Sequence, residues 1–273
     1  MALFSKTYEA THLSSITASR NATRKLIRKA SKGKFHAFSQ LSVQYLDFLS
    51  GYFYTIGYVD IEQRSEEIIK LLVKCWRYLP YTKRVSDFER FIYTQLEKAP
   101  PLTKSSNLPQ LEKLLQLDHL NRFLLVSRFF EKWSYKALCL STRVEKRDLP
   151  NVLMHLKSKL IGFRPNMLKT DEKARVTLVS ELLEGRLTKK ETHLIEKEIT
   201  SEYHSLQFKA DWLEYRCELV ELNQTIKLSE ITTSQIIERL SHNVRQHQME
   251  KPKLIINLAN HISFKRIPAE AYL

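Results

Sequence analysis

Lys146, Arg147, Asn151, His155, Lys157 and Lys159 recur at helical spacing on one short stretch of this chain. Val152, Leu153, Leu156 and Leu160 fall on the opposite side, so one amphipathic helix from about Lys146 to Leu160 is expected. Lysine and arginine neutralise phosphates, while Arg147 and Asn151 carry the forked donors and acceptors that read base edges in a major groove. A shorter helix, roughly Tyr135 to Ser141, precedes it, with Tyr135, Leu138 and Cys139 as core candidates and Ser134 placed to cap it. A turn at Thr142–Val144 joins the two. Short helix, tight turn and basic second helix make a helix-turn-helix pattern, which any three-helix bundle can imitate.

Other chemistries find little footing. The chain has 273 residues and only 5 glycines, with no glycine-rich phosphate loop, no metal-ligand cluster and no nucleophile–base pair. An enzyme is not expected, and no cofactor is implied. Cys75, Cys139 and Cys217 lie far apart, which fits reduced structural thiols in a cytoplasmic protein. No apolar run reaches the roughly 18 residues of a membrane span, and the N-terminus lacks an apolar signal core.

The net charge of +14 is not evenly spread. Residues 1–36 hold 8 Lys/Arg against 1 acidic residue, and residues 100–165 hold 12 against 5. The intervening segment 37–99 and the segment 166–273 are each neutral. Two localised basic zones point to a polyanion, most simply nucleic acid, or to a solvated basic surface.

Helices must position these groups. Residues 1–35 read as a basic N-terminal arm, with RNATRKLIRKASKGK at its end. In the segment 36–99, Phe38, Leu41, Tyr45, Phe48, Leu49 and Tyr52 mark a first helix. Ile68, Leu71, Leu72, Cys75 and Trp76 mark a second from about Ile61 to Tyr78, ended by Pro80. A third runs from about Ser86 to Lys98, with Ser86 and Glu89 as a capping box and Phe88, Phe91, Ile92 and Leu96 inward. Residues 100–109 form a proline-rich linker to a second bundle at 110–165, in which Phe123, Leu124, Val126 and Phe130 point inward. After GFRPN, the segment 166–273 resumes helices, with a turn at Glu184–Leu187 and a late apolar run, LIINLANHI. The fold class expected is all-α.

Two stretches carry a family resemblance. KCWRYLPYTKRVSDFERFIYTQLEKA and RFFEKWSYKALCLSTRVEKRDLPNVLMHLKSKL resemble, in order, spacing and linker, the two domains of bacterial RNA polymerase sigma factors of the extracytoplasmic-function type. The resemblance covers about residues 36–163. It implies a domain that grips polymerase and melts the promoter, and a helix-turn-helix domain that reads an upstream promoter element. It places Glu66, Lys70, Trp76 and Arg77 on or beside the polymerase-facing helix and Phe88, Arg90, Phe91 and Tyr93 near the promoter-melting surface, with Trp76 and Phe91 also core candidates. It implies core RNA polymerase and double-stranded DNA as partners. VSELLEGRLTKKETHLIEKEI resembles zinc-binding anti-sigma domains, but the ligand positions fall on Glu198, Glu202 and Ser205, so no zinc is expected. Leu182, Leu183, Leu187, Leu194 and Ile195 would hold that frame by packing.

The chain departs from the sigma pattern in three places. Arg143 stands where a turn glycine is usual, Pro150 lies early in the reading helix, and Ile69 and Lys70 replace a Gln–Glu pair on the polymerase-facing helix. Two functions follow. One is a sigma-like transcription regulator modulated in cis by its C-terminal domain. The other is a degenerate sigma-like module that binds an anti-sigma factor or polymerase without reading DNA.

Overall fold

The computed structural model describes residues 20–102, 109–199 and 202–250, and these are helical with no strand among them. The first 19 residues and the LIINLANHI run lie outside the described residues. Helix α1 covers 20–30, followed by α2 (Phe35–Thr55), α3 (Ile61–Tyr78) and α4 (Val85–Glu97). Then come α5 (Pro109–Leu115), α6 (His119–Leu124), α7 (Tyr135–Thr142) and α8 (Leu149–Ile161). The C-terminal half contributes α9 (Thr170–Leu183), α10 (Lys189–Ile199), α11 (Tyr203–Ile226) and α12 (Glu230–Glu250).

Helix α2 is the axle. Its aromatic and aliphatic residues recur on all sides, so it is buried nearly all round. It packs against α3, α11, α12 and the segment Leu125–Phe130. That segment continues α6 as a π-helix, with the Glu131 amide reaching back to the Val126 carbonyl at 3.0 Å. Gly51 permits the close crossing: a Cβ there would sit 3.0 Å from Val126 Cγ1 and 3.2 Å from a Phe130 ring carbon.

Local signals explain most boundaries. The Asp60 carboxylate accepts from the amides of Glu62 and Gln63 and starts α3, and Pro80 stops it in a short 3-10 turn at Leu79–Tyr81. Ser134 caps α7 by accepting from the Ala137 amide. Arg143 ends α7 with φ 67°, the left-handed conformation a turn glycine would take. The near end of the linker is tied down rather than loose: the Leu102 amide donates to the Ile56 carbonyl at 2.8 Å, beside Gly57 at φ +102°.

Four expectations need correction. The basic stretch from Arg20 is a docked helix, not an arm, because Thr23, Ile27 and Ala30 form a buried stripe at helical spacing. Helix α4 starts one residue before Ser86, and Asp87, not Glu89, closes its first turn by accepting from the Arg84 amide at 2.9 Å. Helix α8 begins at Leu149 rather than Lys146, which puts Pro150 in its first turn, where a missing N–H costs nothing. Leu194 is 52% exposed, since Ile195 and Ile199 take the inward positions on α10.

One apolar cluster runs from Ile27 to Val244 and takes in residues of α1 to α8, α11 and α12. A smaller cluster joins Met154 of α8 to Val176, Val179, Ile195, Ile199 and Phe208. The segments 36–99, 110–165 and 166–250 therefore share a core: α4 lies on α7, α9 on α8, and α12 on both α2 and α3.

Candidate nucleic-acid interface

Cations far apart in sequence meet in space. Arg20 and Arg24 of α1, Arg84 at the start of α4 and Lys136 of α7 line one groove of about 460 Å³. Arg24, Arg84 and Lys136 are exposed, and their side chains have no ion-pair partner among the described residues. Arg20 is turned inward, with its guanidinium 3.1 Å from the Glu89 carboxylate. Glu89 is buried and also receives the Ser141 and Tyr45 hydroxyls. Burial raises its carboxyl above the ordinary value, against the opposing pull of Arg20.

The α8 residues divide. Lys146 and Arg147 are exposed before the helix, although Arg147 lies within 2.9 Å of the Glu145 carboxylate. Lys159 is exposed and pairs with Asp118 at 3.0 Å. Asn151 is exposed but accepts from the Thr177 hydroxyl of α9 at 3.2 Å. His155 is half-buried, and burial followed by the charges of Lys173 and Lys159 holds it below the ordinary histidine value. Lys157 cannot reach a phosphate: its side chain is 0% exposed.

Lys157 instead anchors a buried ionic knot. Its ammonium lies 2.9 Å from Glu184 and donates to the Ser180 hydroxyl and carbonyl. Arg128 of the π-helical segment reaches the same Glu184 at 2.6 Å. Phe129 and Trp212 present ring faces to the ammonium, and Arg186 lies 3.9 Å over the Tyr135 ring. The turn at Glu184–Leu187, with Gly185 at φ +67°, delivers Glu184 and Arg186 to this point.

The residues expected at a promoter-melting surface are mostly committed elsewhere. Phe88 is fully buried against Tyr45, so it belongs to the core. Arg90 donates to the Leu140 carbonyl at 2.8 Å and ties α4 to the end of α7. Phe91 stacks on Tyr78 with centroids 3.9 Å apart, and Tyr93 packs edge-on against Phe123. On α3, Trp76 is buried against Phe35 and Phe38. Glu66, Lys70 and Arg77 remain exposed, but Arg239 of α12 reaches toward Glu66 at 3.7 Å and pairs with Glu62. Lys70 pairs with Glu67 at 2.6 Å.

Glu198, Glu202 and Ser205 do come together, lining with Arg175 a cavity of about 10 Å³, room for no more than one water. The Ser205 hydroxyl bonds to Glu202. No group of three metal-ligating side chains suited to a metal occurs among the described residues. Nor is any described helix long and apolar enough to cross a membrane.

Sequence reasoning named Lys146 and Arg147, which are exposed outside the groove, and did not name Arg84 and Lys136, which line it. The signal for α1 was present: Thr23, Ile27 and Ala30 recur at spacings of 4 and 3, Arg20 three residues before Thr23 falls on the same inward stripe, and Arg24 lies to its side. No family model, no curated protein and no solved structure matches this chain.

Proposed function

We propose that this chain is a sigma-factor-like, nucleic-acid-binding regulator whose C-terminal helices bear on its DNA- and polymerase-facing elements in cis. The observation that carries the reading is one groove lined by Arg20 and Arg24 of α1, Arg84 before α4 and Lys136 of α7, with three of these cations exposed and without an ion-pair partner among the described residues. Clustered cations of this kind attract a phosphate backbone and release its counterions. The left-handed Arg143 between α7 and α8 agrees with the turn of a helix-turn-helix. DNA contact runs through Arg24, Arg84 and Lys136 together with Lys146 and Arg147, and leaves out Lys157.

Binding of fluorescent duplex DNA by the full chain, followed across salt concentrations, tests this. Arg24→Glu with Lys136→Glu lowers affinity by roughly 10- to 100-fold and flattens the salt slope. Unchanged affinity would remove the groove from the DNA surface.

A second reading, a protein-interaction module that does not read DNA, is favoured by one observation. Helix α9 occupies Asn151 and α12 lies along α3, so the sites a regulator would use are partly taken. Capture of core RNA polymerase by the full chain, with no preference among duplex sequences, is the result that would favour it. Shortened chains are poor tools here, because the shared core runs through the C-terminal helices.

A further inference from the structure

We propose that the open cavity bordered by α1, α2, α4 and the bend at Glu131–Ser134 binds a nucleoside phosphate, base in the cavity and phosphate in the adjoining basic groove. The inference rests on the groove's attraction for phosphate and adds a ligand class to it. The cavity holds about 560 Å³ and shares Arg20 and Val85 with the groove. Volumes of roughly 300–1,000 Å³ are typical of small-molecule sites.

Three features lie at its wall or lead into it. Lys132 sits at φ 54°, a conformation that non-glycine residues rarely hold without structural cause. The π-helical segment Leu125–Phe130 leads directly into that bend, and such segments recur at functional sites. Glu89, a buried carboxylate, forms part of the floor.

The lining selects the class of ligand. Gln44 is exposed and accepts from the Thr23 hydroxyl at 2.9 Å through its carbonyl, which leaves its amide hydrogens to donate. The Glu131 carboxylate can only accept when ionised, and burial raises its carboxyl above the ordinary value. Gln44 and Glu131 thus put a donor and an acceptor on the lining of one cavity, the pair of groups that the edge of a nucleobase takes. Tyr45 and Trp133 supply aromatic surface, and Trp133 is held in place by stacking on Phe48 at 5.0 Å. Arg24, Arg84 and Lys136 then meet the phosphate. Inorganic phosphate or a sugar phosphate would fill the groove and leave the donor–acceptor wall unmatched.

The nucleoside phosphate has two sources, a free mononucleotide or one unit of a single strand, and calorimetry on the full chain separates them. The probes are AMP, GMP, CMP and UMP, with ribose 5-phosphate, inorganic phosphate and a single-stranded tetranucleotide alongside. At least one mononucleotide is expected to bind roughly 10-fold tighter than ribose 5-phosphate, about one good hydrogen bond's worth of discrimination. Gln44→Ala abolishes that preference and leaves inorganic phosphate binding unchanged, while Arg24→Ala weakens both. Binding of the tetranucleotide alone, again dependent on Gln44, makes the strand the source. Mononucleotides no better than ribose 5-phosphate, together with a tetranucleotide indifferent to Gln44→Ala, overturn the pocket. Duplex binding that still falls with Arg24→Glu and Lys136→Glu would then leave the groove reading standing. Gln44 lies on the surface, so the variant tests binding rather than folding, and an unchanged thermal melt checks that.

Discussion

Two buried glutamates on two helix seams behave in opposite ways. At the α4–α7 seam, Glu89 faces one cation, Arg20, which is one-third exposed. At the α8–α9 seam, Glu184 faces two, Lys157 and Arg128, both largely buried. Burial pushes each carboxyl up. At Glu184 the two cations outweigh that cost and hold the group below the ordinary carboxylate value. At Glu89 one solvent-screened arginine and two hydroxyls do not, and the group stays above it. The same residue type therefore closes one seam as a fixed charge and leaves the other with a group ready to take a proton. Burial also holds Lys157 below the ordinary lysine value in spite of Glu184, so the knot is costly to assemble and costly to break.

The largest test of this difference removes one partner of the knot. Glu184→Ala leaves Lys157 buried without its carboxylate and is expected to lower stability by about 3–5 kcal/mol. Urea unfolding of the full chain measures it. Lys157→Met combined with Glu184→Leu should cost clearly less than Glu184→Ala alone, because no lysine charge is left stranded. Equal losses would mean that the two side chains are not coupled.

The pH dependence sharpens the comparison. Glu184 binds its proton less readily folded than unfolded, so its stabilisation is present above the unfolded value of about 4.3 and disappears as pH falls through the lower folded value. Glu89 binds its proton more readily folded, so stability declines as pH rises from about 4.3 through its raised folded value. Glu89→Gln should remove that decline and change stability near pH 7 by no more than about 1 kcal/mol. Glu184→Gln should instead remove the loss of stability on the acid side. Unfolding curves between pH 3 and pH 7 distinguish them, and parallel profiles for the two variants would break the contrast.

Smaller effects lie at the edges of the seams. Arg20→Ala withdraws the one cation near Glu89 and should move its carboxyl higher still, read by NMR titration of that side chain. An unmoved titration would show that burial and the two hydroxyls set Glu89 without Arg20. Arg143→Gly, at the end of α7 beside the Glu89 seam, relieves a left-handed arginine. It should stabilise the chain by no more than about 1 kcal/mol, since the added freedom of the unfolded glycine offsets part of the gain. A loss in its thermal melt would mean that the Arg143 side chain contributes a contact of its own.

Much of the helical order was legible in the residues. The α3 boundaries, the Ser134 cap and the turn at Glu184–Leu187 follow from capping chemistry, proline and glycine, which act over one or two turns. The buried stripe of α2 was equally plain, because aromatic residues at spacings of 3 and 4 leave no polar alternative. Lys157 shows where this stops. Periodicity told that α8 buries a face, but not that a lysine on it would meet a glutamate from the turn after α9.

The sequence by itself determined an all-helical fold class, the starts and stops of α2, α3, α4, α7 and α8 to within a few residues, and two separate zones of positive charge. Only the tertiary structure decided that Arg24, Arg84 and Lys136 share a groove, that α1 docks, and that α9 and α12 lie on α8 and α3. The reason is one of range. Caps, turns and amphipathic spacing are set by neighbours along the chain, whereas the partner of a buried face or a charge is chosen by packing among elements a hundred residues apart.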